Sequence, residues 1–456
     1  MESRDSTREW ERQVVSFLDA PIPQEVRDRG ARTVADVLAA AVAGAAVPDV
    51  ERVGREAAFA DGGASVLGTR RRVPPGQAAL VNTAAAIAQE VEEGHNTGGH
   101  VGAGIVAGGL GVAEAAGVDG ATFVDAVVRA YEVCARLERA IFAMKDRLNE
   151  ATPWLVRNPH STWTTVGPAL TAALCLDADE DRLRETFRIA ANLAVVSMHD
   201  PYVEGAPSRN FTAGFSAQAG VSAALAGTAG LRGSVAAMEV VYDPLEDLLP
   251  EGFTRTVQTL GEDWAIGQNY AKPYPSCRYT HPPLDALREA VDGTGVDPDA
   301  VEGIVVHTFD NAAEMDHAAP ETMTGAKFST PYVLARYLRD GEVTLSQFTP
   351  EALGGEGVRA LADRVTLERD DAYEAAFPES WGARVAVELS DGRTLTGARD
   401  YPRGDYRDPL PEAEYRERNR ALLAWGLPEA RVEGAMAALE AVESAPVRAT
   451  VASLTP

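Results

Sequence analysis

Lysine is almost missing from this chain: Lys145, Lys272 and Lys327 are the only three, although Lys and Arg together number 42. Against them stand 68 acidic residues and a formal net charge of −26. Such a surface repels a polyanion unless a basic stripe is present, and only Arg70-Arg71-Arg72 approaches one, beside Val73-Pro74-Pro75 in a predicted loop. Nucleic-acid binding is therefore excluded. Cysteine is equally scarce: Cys134, Cys175 and Cys277 are odd in number and far apart, with no CxxC spacing. That excludes a disulfide framework and a Cys/His zinc site, and it fits a reducing compartment. Long apolar runs are missing too, since Val101 to Ala116 is short, rich in glycine and interrupted by Glu114. The opening MESRDSTREWERQVV has no apolar core of a secretory signal. The expectation is a cytoplasmic protein with no membrane partner.

What is present is enough for large cores. The 456 residues are 45 % hydrophobic, and single cores stop growing near roughly 250–300 residues, so two domains are expected. From Thr7 to about Gly233 the pattern is helical, with alanine-rich runs such as VRDRGARTVADVLAAAVAGA, GQAALVNTAAAIAQEVEE, FVDAVVRAYEVCARLERAIF and EDRLRETFRIAANLAVVS. VNTAAAIAQ is so rich in alanine that a place at the centre of a bundle is predicted. After about Trp264 the character changes: VEGIVVHTFD reads as a strand, and ARVAVELSDGRTLTGA as a hairpin with a two-residue Asp391-Gly392 turn. KFSTPYVLARYLRDG and VRALADRV read as helices between them, and charged helices return beyond Pro402. The fold class expected is mainly α: an all-helical domain from residues 1–266 together with 402–456, and a smaller α+β domain over 267–401.

Two of only seven histidines sit in EVEEGHNTGGH, residues 90–100. A helix running from Ala84 to Glu93 would place Glu90 and Glu93 on one face with Glu92 turned away, and Gly94 would end it. His95 and His100 then follow in an irregular segment beside the carboxylates, and imidazole with carboxylate is the usual equipment for proton transfer. A solvated acidic helix end is the bland alternative, and metal binding is a weak third, lacking HExxH or an i, i+4 histidine pair. GAGIVA (102–107) matches a dinucleotide fingerprint, but no strand precedes it, so its glycines are read as close helix packing. His160 in RNPHSTWTTVG precedes a helix, and Arg209 in GAPSRNFTAGF suits a carboxylate clamp. AKPYPSCRYTH carries Lys272, Cys277, Arg278 and His281 on a proline-stiffened loop, and a chain that has discarded nearly every lysine keeps one here. The same reasoning applies to Lys327 in AKFSTPY.

In this order, the acidic stretch with His100-Val101-Gly102, AYEVCARLERA, PHSTWTTVG, SRNFTAGFSAQAGVSAAL, AKPYPSCRYTH and AKFSTPYVLA resemble the MmgE/PrpD family. That family contains 2-methylcitrate dehydratase, cis-aconitate decarboxylase and iminodisuccinate epimerase. The resemblance implies a homodimer, an active site in a cleft between the two domains, and lyase or isomerase chemistry on small di- or tricarboxylic acids, with no cofactor and no metal. It places the family's acidic motif on Glu90 to Glu93, its histidines on His100 and His160, and its loop lysine on Lys272. A lysine of the decarboxylase-like pattern falls on Arg209 and a histidine of it on Cys277, which weighs against cis-aconitate itself. The expectation is a dehydratase-like hydro-lyase of a hydroxylated, 2-methylcitrate-like acid. His100, His160, His95, Glu90, Glu93 and Lys272 would do the chemistry, and Arg209, Cys277, Arg278, His281 and Lys327 would hold substrate. A decarboxylase, an epimerase that moves only a proton, and a non-catalytic carboxylate-binding dimer are the alternatives.

Overall fold

The computed structural model describes residues 8–57, 60–96, 99–151, 157–158, 165–194, 197–198, 201, 204–242 and 253–456. Helix dominates, as the alanine-rich amphipathic runs require. The predicted first long helix is Gln24–Gly44 and the last of the four is Glu180–Asn192, whose N-cap Asp179 accepts the Arg182 N–H at 2.9 Å. Pro75–Ala88 is the centre of the bundle: it packs against Gln24–Gly44, Val101–Ala116 and Arg209–Thr228. Ala84, Ala85 and Ala86 are essentially without solvent exposure. Small side chains matter here because the backbones nearly touch. A Cβ on Gly214 would stand 2.5 Å from the Leu80 carbonyl oxygen, so any larger residue would push two helices apart. GAGIVA lies inside the buried helix Val101–Ala116, as the packing reading requires.

The C-terminal helices Glu412–Gly426, Glu429–Glu440 and Val447–Ser453 return to this body, and Leu423, Val432, Val451 and Leu454 join the same hydrophobic cluster. A second cluster, including Leu284, Ile304, Tyr332, Val385 and Leu389, covers a four-stranded sheet. Its order is Thr394–Arg399, Ala383–Leu389, Val301–Thr308, Val365–Arg369, with the last pair parallel and the others antiparallel. VRALADRV is helical only over Glu356–Ala362; Val365 already opens a strand. The hairpin also differs from expectation. Leu389 N–H bonds Arg393 O, and Gly392 N–H bonds Leu389 O, both at 2.9 Å, so the loop holds three residues, 390–392. Gly392 alone takes a positive φ, +84°, the arrangement of a type I turn closed by a glycine bulge.

One small pairing positions the site. Gly94–His95 runs antiparallel to Asn269–Tyr270, which carries the following Ala271-Lys272 beside the acidic stretch. No single described helix is long and apolar enough to cross a membrane.

Candidate active site

The central helix stops earlier than its sequence pattern suggests. It ends at Ala88, and Glu90, not Gly94, takes the left-handed conformation (φ +52°) that closes it. A left-handed non-glycine residue costs about 1–2 kcal/mol, so something must hold Glu90 there. Beyond it the chain is non-helical, and its side chains alternate as in an extended segment. Glu90 and Glu92 therefore turn to one side and Glu93 to the other. A continuous helix would have paired Glu90 with Glu93 instead.

On the first side Glu90 meets two cations from distant segments. Arg209, at the start of its helix, pairs with one carboxylate oxygen, and Lys272 Nζ lies 2.8 Å from the other. All three side chains are at most 2 % exposed. Burial alone would raise the Glu90 pKa, but the charges of Arg209, Lys272 and His100 overcome it and hold the group well below the usual carboxylate range. Glu92, equally buried, is also lowered against its desolvation, by Lys272 and by a hydrogen bond with His100. His100 completes the cluster as the N-cap of Val101–Ala116. Its Nδ1 pairs with Glu92, while Nε2 lies 3.3 Å from Arg209 Nη2 and 3.9 Å from Glu90. Arginine can only donate, so Nε2 is the acceptor, and the neutral ring carries its proton on Nδ1 toward Glu92. A carboxylate-oriented imidazole is the standard form of a general base, and here its acceptor nitrogen faces the Arg209 guanidinium.

Lys327 approaches from the sheet-containing part. Its Nζ donates to Ala88 O at 2.8 Å and Gln89 Oε1 at 2.7 Å, so it caps the helix just before Glu90. Burial drives its pKa down to about 7, with Glu90 opposing. Cys277 borders the cluster; burial and the Glu90 charge push its thiol up to about 12, which leaves it protonated and a poor nucleophile.

Other expected residues lie outside the cluster. Glu93 faces away: its Oε1 accepts the Gly102 N–H at 2.5 Å, and Tyr131 O–H reaches Oε2 at 3.1 Å. Burial and nearby Asp36 raise it to about 8, so at neutral pH it is largely a neutral acid. His95 sits in the small strand pair with Nδ1 3.7 Å from Glu138; burial and Arg139 lower it to about 3. Arg278 pairs with Asp405 and lies 3.5 Å over the Tyr270 ring. His281 is buried edge-on against Tyr274 and donates to Ser276 O at 3.2 Å. These two contacts are those of struts in the loop, and neither group pairs with Glu90. His160 lies outside the described residues.

Glu90, Glu92 and His100 each offer a ligand atom, all within 4.8 Å of one another, a spacing that a metal ion could bridge. A divalent cation would then face Arg209 and Lys272, already paired with Glu90, so this charge arrangement suits an anion better. A cavity of about 670 Å³ lies elsewhere. It touches Glu93, Asp36, Asn269 and Tyr270 on the back of the acidic stretch but none of Glu90, Glu92, His100, Arg209 or Lys272. The acid–base groups gather around Glu90 and not around that cavity.

Sequence reasoning missed the supports of this cluster, Asp36, Gln89 and Arg418. No local signal marked them.

Comparison with known proteins identifies the family. The MmgE/PrpD N-terminal domain matches residues 14–245 and the MmgE/PrpD C-terminal domain residues 274–442. A cis-aconitate decarboxylase-like protein, oryM, of Aspergillus oryzae is 27 % identical over 438 residues, covering 90 % of this chain and 88 % of its own. The cis-aconitate decarboxylase of Aspergillus terreus is 24 % identical over 442 residues, with the same coverage. That of Mus musculus is 25 % identical over 304 residues, 63 % of this chain and 59 % of its own. The chain belongs to the MmgE/PrpD family.

Proposed function

We propose that this protein is a lyase of small polycarboxylic acids, and specifically a dehydratase of a hydroxylated di- or tricarboxylate resembling 2-methylcitrate. The observation that carries the reading is His100, oriented by Glu92 and set against a buried Glu90–Arg209–Lys272 ion cluster. A substrate carboxylate replaces Glu90 as the partner of Arg209 and Lys272. His100 Nε2 takes the proton next to that carboxylate, and the two cations stabilise the enediolate charge that develops. Expulsion of hydroxide then requires a proton donor, and His160, where the resemblance places the family's second histidine, is the residue proposed for it. No cofactor enters, because proton transfer and fixed positive charge supply the chemistry.

The names of the relatives favour a second reading, decarboxylation of a cis-aconitate-like acid. There the same cations hold the carbanion left by departing CO2, and a protonated histidine quenches it. The domain division at 266/267 and 401/402 belongs to this proposal, supported by hydrophobic clusters that follow it except at Leu345, which packs with the helical body. So does a homodimer, supported by exposed apolar side chains such as Phe215, Leu225 and Val240 and tested by sedimentation.

The deciding experiment is proton NMR in D2O with citrate, 2-methylcitrate, malate, cis-aconitate and iminodisuccinate. New vinylic signals from a hydroxy acid establish the dehydratase. Loss of CO2 from cis-aconitate establishes the decarboxylase, and deuterium uptake without a new product an epimerase. If every acid stays unchanged, the lyase reading for these acids falls.

A further inference from the structure

Arg418 lies on Glu412–Gly426, far in sequence from every motif residue, yet its guanidinium ends between the two segments that bear the charged cluster. Nε donates to Lys272 O at 2.7 Å, Nη2 donates to Val91 O, and Nη1 donates to Asp36 Oδ2 at 2.7 Å and Asn419 Oδ1 at 2.6 Å. Asp36 in turn accepts the Glu93 N–H at 2.7 Å with its other oxygen. The side chain is 8 % exposed. Val91 is the residue between Glu90 and Glu92, and the second carbonyl belongs to Lys272 itself. One rigid planar fork therefore sets the distance between the backbone that carries two carboxylates and the backbone that carries their cation.

We propose that Arg418 is a positioning residue of this site: it fixes the spacing of Glu90 and Glu92 against Lys272 without touching substrate. Three features support this over simple packing. Two of the acceptors, Val91 O and Lys272 O, are backbone carbonyls of the cluster's own segments. Asp36 extends the same restraint to residue 93, so the acidic stretch is gripped at two points. A lysine, with a compact ammonium and no planar fork, cannot span these acceptors together. Misplacement of reacting groups by about 1 Å can cost on the order of 100-fold in rate, whereas loss of a helix contact alone would change stability and leave the chemistry intact.

The inference rests on the lyase reading for its kinetic test and is independent of it in a second test. With the substrate identified by NMR, Arg418→Lys is expected to lower kcat about 10- to 100-fold, to leave KM within a few-fold and to shift the pH–rate profile. Arg416→Gln, on the same helix but paired with exposed Glu440, serves as the control and leaves all three unchanged. The second test is nitrogen-15 NMR of the His100 ring. The wild type shows the proton on Nδ1, and Arg418→Lys alters its tautomer balance or titration. If Arg418→Lys does not fold, Asp36→Asn is the substitute, since it weakens the grip and keeps an acceptor. A lowered melting temperature with unchanged kcat, pH profile and His100 signals overturns the proposal. Altered His100 signals in a protein that turns over none of the acids retain the positioning role and remove the lyase.

Discussion

Glu90 and Glu93 are the same side chain three residues apart, both about 2 % exposed, and their ionisation is pushed in opposite directions. Desolvation acts on both alike. The difference lies in the partners: Glu90 faces Arg209 and Lys272, whereas Glu93 faces Asp36, Tyr131, the Asn269 amide and the Gly102 N–H, none of them a cation. One acidic stretch thus makes a charged front and a neutral back. The front has the pieces of a catalytic site, and the back is a structural seam that caps Val101–Ala116 beside His100. A change on the front should therefore alter the reaction, whereas a change on the back should leave the rate nearly intact.

The sharpest way to break this comparison is His100→Asn. If His100 is the base, kcat falls by about 10²–10⁴-fold while the melting temperature stays near that of the wild type; an unchanged rate would remove His100 from the chemistry. Glu90→Gln comes next. It leaves Arg209 and Lys272 buried without their shared carboxylate, and loss of one partner from a buried ion cluster costs about 3–5 kcal/mol. Urea denaturation should show that loss, and an added di- or tricarboxylate should restore part of it by taking the vacated position. Equal stability of the two proteins would mean that the cluster is less tightly coupled than its geometry implies.

Residue identity was legible in the sequence; sidedness was not. Alanine periodicity predicted the central helix, and the retained lysines pointed to Lys272 and Lys327, because composition makes an exception visible. The same periodicity extended the helix through Glu93, since nothing local announces that Glu90 adopts φ +52°. That single backbone choice exchanged Glu93 for Glu92 at the site. The loop AKPYPSCRYTH was recognised as a whole, but which of its side chains faces inward depends on Asp405, Tyr270 and Tyr274, which hold Arg278 and His281 elsewhere. Arg418 was invisible for a related reason: its meaning lies in contacts to residues 327 and 382 positions away.

The smallest effect on rate is expected from Glu93→Gln, and it is the most direct test of the neutral back. The amide retains an oxygen for the Gly102 N–H and cannot ionise, so activity should stay within a few-fold of wild type. Stability should differ in its pH dependence. Glu93 has a folded pKa raised from 4.5 to about 8, so between those values the folded state binds more protons than the unfolded one. Its contribution is complete below about pH 4.5 and is lost as pH rises through about 8. Wild type should therefore lose stability between pH 5 and 8 relative to Glu93→Gln. Lys327, lowered to about 7 from 10.5, works in the opposite sense: its unfolded state binds more protons above that value, so stability gains as pH rises from about 7 to 10.5. The comparison of the two proteins cancels the Lys327 contribution, which both share. Parallel urea midpoints across pH 5–8 would show that Glu93 is ionised in the folded protein, and the contrast between front and back would then rest on geometry alone.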